Sequence, residues 1–308
     1  MRGRFDAALA PLLLLQTIVL WGSSFRAMAV GSQHTHPLMV SAVRMAPATI
    51  ALVLLLPLLG SRLPRDRRTW LLAGVTGLLT VTVTIGAIPI ATKLAGSANA
   101  AVLGSSTPLW VLLIGRVMLR ERMSPLALGG IAAGFGGVVL MVSSQLGGSA
   151  GAGALIGGMA LAALSAAAVG IGLLFVKAQL TSNPGIDLIG LSAAQHVVGG
   201  PTLLVIGFAI YGTGGTEWSS GALWGSIAWL AFGASAIGYA CFYTAMRRMP
   251  AAKASAWMFL APVVAILVEV GRGNPPGTVE LVGMVVTIAG VAVANLAPAP
   301  ALAAAVTP

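Results

Sequence analysis

The chain has 308 residues, 57% of them hydrophobic and only 8% charged, with a formal net charge of +10. A soluble domain carries roughly 25% charged residues, so this composition excludes an ordinary water-facing surface, and the solvent for most of the chain is a bilayer. A single cysteine, Cys241, excludes an internal disulfide and a cysteine metal cluster.

A membrane-spanning helix needs about 20 mostly apolar residues. Ten segments meet that rule: 9–30, 37–59, 69–91, 97–118, 125–145, 153–177, 187–211, 222–246, 252–271 and 279–297. The first is about 22 residues long, longer than the roughly 7–15-residue apolar core of a secretory signal. No small-residue cleavage site follows it, so it is read as the first membrane helix. Short links join the segments. The tail "APAPALAAAVTP" is rich in Pro and Ala, uncharged, and expected to be disordered.

Orientation follows from the basic residues. With the N-terminus in the cytoplasm, the cytoplasmic segments hold Arg2, Arg4, Arg62, Arg65, Arg67, Arg68, Arg116, Arg120, Arg122, Lys177, Arg247, Arg248 and Lys253, which is 13 of the 17 Lys and Arg. The outer segments keep Lys93 and Arg272, while Arg26 and Arg44 lie within helices. Both termini are therefore expected inside. Topology accounts for the net charge, and nucleic acid is not an expected partner.

The two halves resemble each other. "AIPIATKLAGSANAAVLGSSTPLW" (87–110) aligns without gaps on "CFYTAMRRMPAAKASAWMFLAPVV" (241–264). In that register, an offset of 154, Lys93 falls on Arg247, Pro108 on Pro262, Gly129 on Gly283 and Gly136 on Gly290. The expected organisation is a first repeat over 1–146 (helices one to five), a second over 147–297 (helices six to ten) and a tail over 298–308. Five is odd, so the second copy must be inserted upside down. Inverted repeats of this kind place a substrate site near the bilayer midplane, between two units that rock past each other.

These residues resemble the EamA-type transporters of the drug/metabolite transporter superfamily. The marks are "WGSSF" (21–25), "SAVRMAPA" (41–48) with its helix-two arginine, "SANAAVLGSSTPLWVLLIG" (97–115), "LRERMSPLALGGIAAGFGGVVL" (119–140) and "LAPVVAILVEVGRGNPPGTVELVGMVVTIAGV" (260–291). The chain departs from that pattern with Arg120 in the Leu119-Arg120-Glu121 turn, where the family usually has Gly. It departs again with Asn274, where Glu is frequent, and with Arg26, at a position often apolar or small. The resemblance implies an all-α, ten-helix exporter of small metabolites, amino acids or drugs. Its central cavity would be lined mainly by helices 1, 3, 4, 6, 8 and 9.

Ionisable residues inside a membrane are expensive and are functional candidates by default. Four stand out: Arg26, Arg44, His196 and Glu269. At 1.5 Å rise per residue, Arg26 lies roughly 6 Å and Arg44 roughly 10 Å inside the outer helix ends. Facing a cavity, Arg26 would bind a carboxylate with its planar fork; facing lipid, it would snorkel to the headgroups. Arg44 would satisfy carbonyls around Pro47, pair with another helix, or bind substrate. Glu269 would partner either arginine, or sit at the interface. His196 and Glu269 are the candidates for proton coupling. Lys93, Arg247 and Lys177 lie at helix ends and read as anchors.

Trp21, Trp110, Tyr239, Tyr243 and Trp257 are candidates to stack on substrate; the alternative for each is packing or interfacial anchoring. Trp70, Trp218 and Trp224 read as belt residues. Pro108 and Pro262, at matched places, are candidate kinks. The rows Gly130/Gly134 and Gly129/Ala133/Gly137, and the pair Gly153/Gly157, bring helices close or support a homodimer.

H-E-x-x-H and a P-loop are missing, so no enzyme activity, metal or cofactor is expected. Two transport readings compete. One is an exporter of zwitterionic, anionic or amino-acid-like solutes. The other is a multidrug cation exporter, which ordinarily carries a membrane-embedded carboxylate and is disfavoured by Arg26. A facilitator or exchanger needs no proton coupling. The expected location is the cell membrane.

Overall fold

The computed structural model describes residues 2–95, 100, 103–118, 124–143 and 152–297. The Arg120–Glu121 turn, the 146/147 boundary and the tail over 298–308 lie outside these residues. Every regular element described is helical. In chain order these are α1 (Arg2–Gly31), α2 (Pro37–Leu55), α3 (Arg67–Ala95), α4 (Thr107–Met118), α5 (Pro125–Val142), α6 (Ala152–Ser182), α7 (Leu188–Tyr211), α8 (Gly221–Met246), α9 (Ala251–Val270) and α10 (Thr278–Leu296). Among the described residues eight of them are long and apolar enough to cross a membrane, and α4 and α5 are shorter.

Polar residues just before the helices explain where several begin. Asp66, Ser124, Asp187 and Ser220 each accept a backbone N–H from the first turn that follows. Asp187 also accepts the Arg62 amide at 2.9 Å, tying the α2–α3 link to the α6–α7 link. The same end carries lysines at helix C-termini: Lys177 Nζ donates to the Met249 carbonyl at 3.1 Å, and Lys253 Nζ to the Asn295 and Ala297 carbonyls. Trp70, Trp218 and Trp224 donate to nearby carbonyls near helix ends. Leu12, Leu54, Leu113, Val117, Val205 and Val285 are exposed on the outside of the bundle, as lipid contact requires.

Close contacts fix the helix directions. On α2 and α7, Gly200 meets Met45 and Thr49 while Gly207 meets Met39 and Ala42, so the two run antiparallel. On α3 and α7, Gln195 bonds Thr76 and Thr82 bonds the Gly199 carbonyl, so these run parallel. α1 and α8 are antiparallel, through Thr17 with Gly238 and Ser23 with Trp229.

α5 and α10 are also antiparallel, along a glycine seam. A Cβ on Gly130 would strike the Ala294 amide, one on Gly137 would strike Thr287, and one on Gly283 would come 2.6 Å from the Met141 nitrogen. The seam corrects the sequence register. Gly129 and Gly136, aligned above with Gly283 and Gly290, face open space. The residues that occupy equivalent seam positions are Gly130 with Gly283, Gly134 with Thr287 and Gly137 with Gly290, an offset of 153 rather than 154. This row is consumed by α10 and is not free for a second copy, whereas Gly153 and Gly157 have open space around them.

Three helices are locally irregular. α2 breaks at Arg44, between Pro37–Val43 and Met45–Leu55. α3 and α8 each contain a wide π-helical stretch, Leu78–Val83 and Trp229–Ile237. At the 154 offset the first stretch maps onto 232–237, inside the second. Pro108 lies in the first turn of α4, and Pro262 in the first turn of the α-helical part of α9, directly after the 3₁₀ turn Trp257–Leu260.

Candidate functional site

A cavity of about 670 Å³ opens among α1, α2, α3, α4, α6, α8 and α9. Its rim is formed where α1 ends, α2 begins and α3 ends, with Ser32, Pro37 and the exposed Lys93. Its far end is closed by Phe242 and Tyr243, which join the largest buried cluster, with Leu14, Leu174, Met246 and Ala251. The cavity is thus open at one end and plugged at the other. The helices foreseen in its wall are all present, and α2 is added through Pro37 and Arg44.

The two irregular helices α3 and α8 face each other across it. Thr80, Ile85, Ile88 and Pro89 line it from α3, and Ala234, Tyr239, Phe242 and Tyr243 line it from α8. These are the same four positions at an offset of 154. Gly104 with Met258 and Thr107 with Ala261 extend the correspondence to α4 and α9. The wide turns, whose irregular bonding favours functional positions, present matched carbonyls to aromatic donors. Tyr239 Oη donates to the Thr80 carbonyl at 3.4 Å, and Trp21 Nε1 to the Ala234 carbonyl at 3.0 Å.

Trp21, Tyr239 and Phe242 form an aromatic wall, Trp21 lying 5.4 Å from Tyr239 and 5.3 Å from Phe242 between ring centroids. Arg44 reaches the cavity from the break in α2, is only 7% exposed, and its Nε has no hydrogen-bond partner. Behind it lies a band of buried polar atoms. His196 is fully buried, its Nδ1 is 2.9 Å from the Ser192 carbonyl, its ring meets Tyr239 edge-on at 5.0 Å, and its Nε2 has no partner. Ser41 Oγ, Ser192 Oγ and Ser235 Oγ are unpartnered too. Of these residues, Arg44 and Ser235 belong to the cavity lining.

Of the expected binding residues, Trp21, Arg44, Tyr239 and Tyr243 line the cavity. The structure does not bring Arg26, Trp110 or Trp257 to it. Arg26 is half-buried on α1 and outside the lining; at 100° per residue it points roughly 130° from the mean direction of the lining residues of that helix and about 60° from Ala29 at their edge. Trp110 donates to Ser106 Oγ and packs on Gly170 of α6, and Trp257 donates to Asn295 Oδ1 of α10. Glu269 pairs with neither Arg26 nor Arg44: it lies 3.6 Å from Arg272 Nε and accepts from Asn274 Nδ2, with its side chain 41% exposed. Thr80 and Ser235 line the cavity and were missed as site residues, as was Gln195 in the polar band behind it, which donates to Thr76. A signal existed for Gln195, because "SAVR" (41–44) and "SAAQ" (192–195) align at an offset of 151 and put Arg44 and Gln195 at equivalent places. Among the described residues, the lining carries two cations, Arg44 and Lys93, and no carboxylate. No group of three His, Cys, Asp or Glu among them could hold a metal ion.

The sequence profile of the EamA-like transporter family matches residues 8–143 and again 156–296. The chain belongs to the EamA-like transporter family. It is similar to the "Probable terminal-alkyne amino-acid exporter" of Streptantibioticus cattleyicolor, 29% identical over 92% of each chain. It is also similar to the "Uncharacterized transporter YvbV" of Bacillus subtilis, 23% identical over 92% of this chain and 90% of the other. The "Uncharacterized inner membrane transporter YedA" of Escherichia coli is 27% identical over 85% of this chain and 82% of its own. One crystal structure, at 20% identity, superposes with a TM-score of 0.78 over 93% of this chain and 96% of that one, which shows the shared fold. This EamA-like protein is a multi-pass membrane transporter, and the names of its relatives point to transport rather than catalysis.

Proposed function

We propose that the protein exports small amphipathic solutes that carry a carboxylate, amino-acid-like zwitterions or anions with an apolar body, by alternating access. The observation that carries this reading is the cavity lining: two cations, no carboxylate among the described residues, and an aromatic wall. A buried guanidinium is matched by a bidentate carboxylate, and the rings suit an apolar side chain. The printed name of one relative, an amino-acid exporter, agrees in substrate class. A multidrug cation exporter is disfavoured by the same two cations.

The topology we propose is ten spans in two inverted five-helix repeats, over 1–146 and 147–297, with both termini in the cytoplasm. The double match of one family profile, the antiparallel pairs α2/α7 and α5/α10, and the matched π-helical stretches support it. In that orientation the open rim is the outer one. His196, the buried histidine, stands behind Tyr239 rather than in the lining, which favours a facilitator or exchanger over proton coupling.

The test is flux in proteoliposomes. L-Leucine and L-phenylalanine should exchange across the bilayer, while their amides, which lack the carboxylate, should not. Equal flux of acid and amide, or transport of cationic drugs alone, would sink the reading.

A further inference from the structure

Lys93 and His36 stand together at the rim of the cavity. Lys93 Nζ lies 3.3 Å from His36 Nε2, and the imidazole is stacked on Tyr211 with centroids 3.8 Å apart. The other ring nitrogen, Nδ1, accepts the Leu38 amide at 3.2 Å, which is how His36 caps α2. A neutral imidazole has one lone pair and one N–H. With the lone pair on Nδ1 engaged by Leu38, Nε2 carries the hydrogen. It then faces an ammonium, which offers only hydrogens. The opposite tautomer moves the same conflict to the Leu38 amide. Burial, and then the neighbouring ammonium, hold His36 below its ordinary pKa, so the ring stays neutral near pH 7.

Among the described residues, two donors therefore stand side by side with no acceptor between them. No carboxylate among the described residues relieves them: Glu217, on the adjoining α7–α8 link, is bound by His34 at 2.7 Å. Lys93 itself is part of the cavity lining. His36 precedes Arg44 by eight positions on α2, about 12 Å at 1.5 Å per residue. That is further than one small solute spans, so a carboxylate leaving Arg44 needs a second station before the rim.

We propose that Lys93 and His36 form an exit-side subsite for the carboxylate of the transported solute, one oxygen on each donor, with Tyr211 holding the ring in place. This rests on the exporter reading and on its orientation. The chemistry is oxyanion binding, and a lipid phosphate is the other source of such a group.

The experiment is exchange of L-leucine and L-phenylalanine by the full chain in vesicles of uniform insertion, with solute titrated separately on each face. It is run in phosphatidylcholine alone and with added phosphatidylglycerol. Lys93→Gln should raise the outer-face KM about tenfold or more, the loss of one charge-assisted bond, and leave the inner-face KM within about twofold. Lys93→Arg should recover most of the loss, which separates a lost donor from a damaged fold. His36→Asn, which keeps a capping oxygen, should raise the same KM by a smaller factor. No wild-type flux of either amino acid overturns the exporter reading and this subsite with it. Wild-type flux with an unchanged outer-face KM in Lys93→Gln overturns the subsite alone. An effect seen only with phosphatidylglycerol assigns the pair to a lipid headgroup and also overturns the proposal.

Discussion

Ile85, Ile88 and Pro89 stand on α3 where Tyr239, Phe242 and Tyr243 stand on α8, in one register and across one cavity. The backbone is repeated down to the wide π-helical turns, yet the side chains are not. On these two helices the first half supplies aliphatic surface and the second the rings, while α1, also in the first half, adds Trp21 and Phe25; both lining cations, Arg44 and Lys93, come from the first half. At the 154 offset Lys93 has its counterpart in Arg247, which bonds the Pro184 carbonyl on the opposite end of the bundle and does not line the cavity. A repeated frame can rock symmetrically while its contents remain asymmetric. On the proposed reading, the charge of a solute is held from the first half and its apolar body by rings of α1 and α8.

Arg44→Gln breaks the cationic side and has the largest expected effect. Losing a charge-assisted bond in a buried site costs about 1.5–3 kcal/mol, so leucine exchange should fall about 10- to 100-fold. The same change removes a buried cation whose Nε has no partner, so the melting temperature in detergent should hold or rise. Lost flux with a lowered melting temperature would show that the arginine serves the fold instead.

The aromatic side is tested by making it resemble its counterpart. Tyr239→Ile with Phe242→Ile converts the second wall toward the first. Phenylalanine exchange should drop about 10-fold, and leucine exchange less, because ring pairs contribute about 0.5–1.5 kcal/mol beyond their area. Equal losses for the two solutes would argue that the wall only maintains cavity shape.

The glycine seam gives a stability contrast between neighbours. Gly130→Ala places its Cβ against the backbone of α10, 2.7 Å from the Gly290 carbonyl, and should cost about 1–3 kcal/mol by overpacking. Gly129→Ala meets nothing within 4 Å and should be neutral, or stabilising by up to about 1 kcal/mol through helix propensity. Thermal unfolding of the two variants in one detergent decides it. Equal shifts would mean that α5 and α10 do not pack along this row.

The contrast also explains what was legible in the sequence. The all-helical, multi-span character and the 154 register over α3, α4, α8 and α9 could be read because spans are long apolar runs and the repeat there has no gap. The seam slipped by one residue because Gly129 and Gly130 are adjacent and composition cannot choose between them; only the direction of each Cβ does. The 151 offset of α2 on α7 was hidden by a change of loop length, so Gln195 went unmatched with Arg44. The wide turns have no composition signal, since Leu78–Val83 and Trp229–Ile237 read as ordinary apolar helix. Arg44 was placed in the right helix, and the break that brings it to the cavity is marked by Pro47, whose missing N–H leaves the Val43 carbonyl without its helical donor.

Arg26→Gln is the smallest effect expected, and it separates charge in the membrane from charge in the cavity. Trp21, Ser24, Phe25, Met28 and Ser32 line the cavity from one side of α1. Gly22, on another side, packs against Ala261 and Val264 of α9. Arg26 follows Gly22 by one turn, outside the lining, half-buried, and its long side chain can run to the headgroups. Leucine exchange by Arg26→Gln should therefore stay within about twofold of wild type, in line with the near-neutral effect of most surface substitutions. A loss approaching that of Arg44→Gln would mean that α1 turns during the cycle and brings Arg26 to the solute in the other state, and the placing of the solute's charge on Arg44 and Lys93 alone would have to be redrawn.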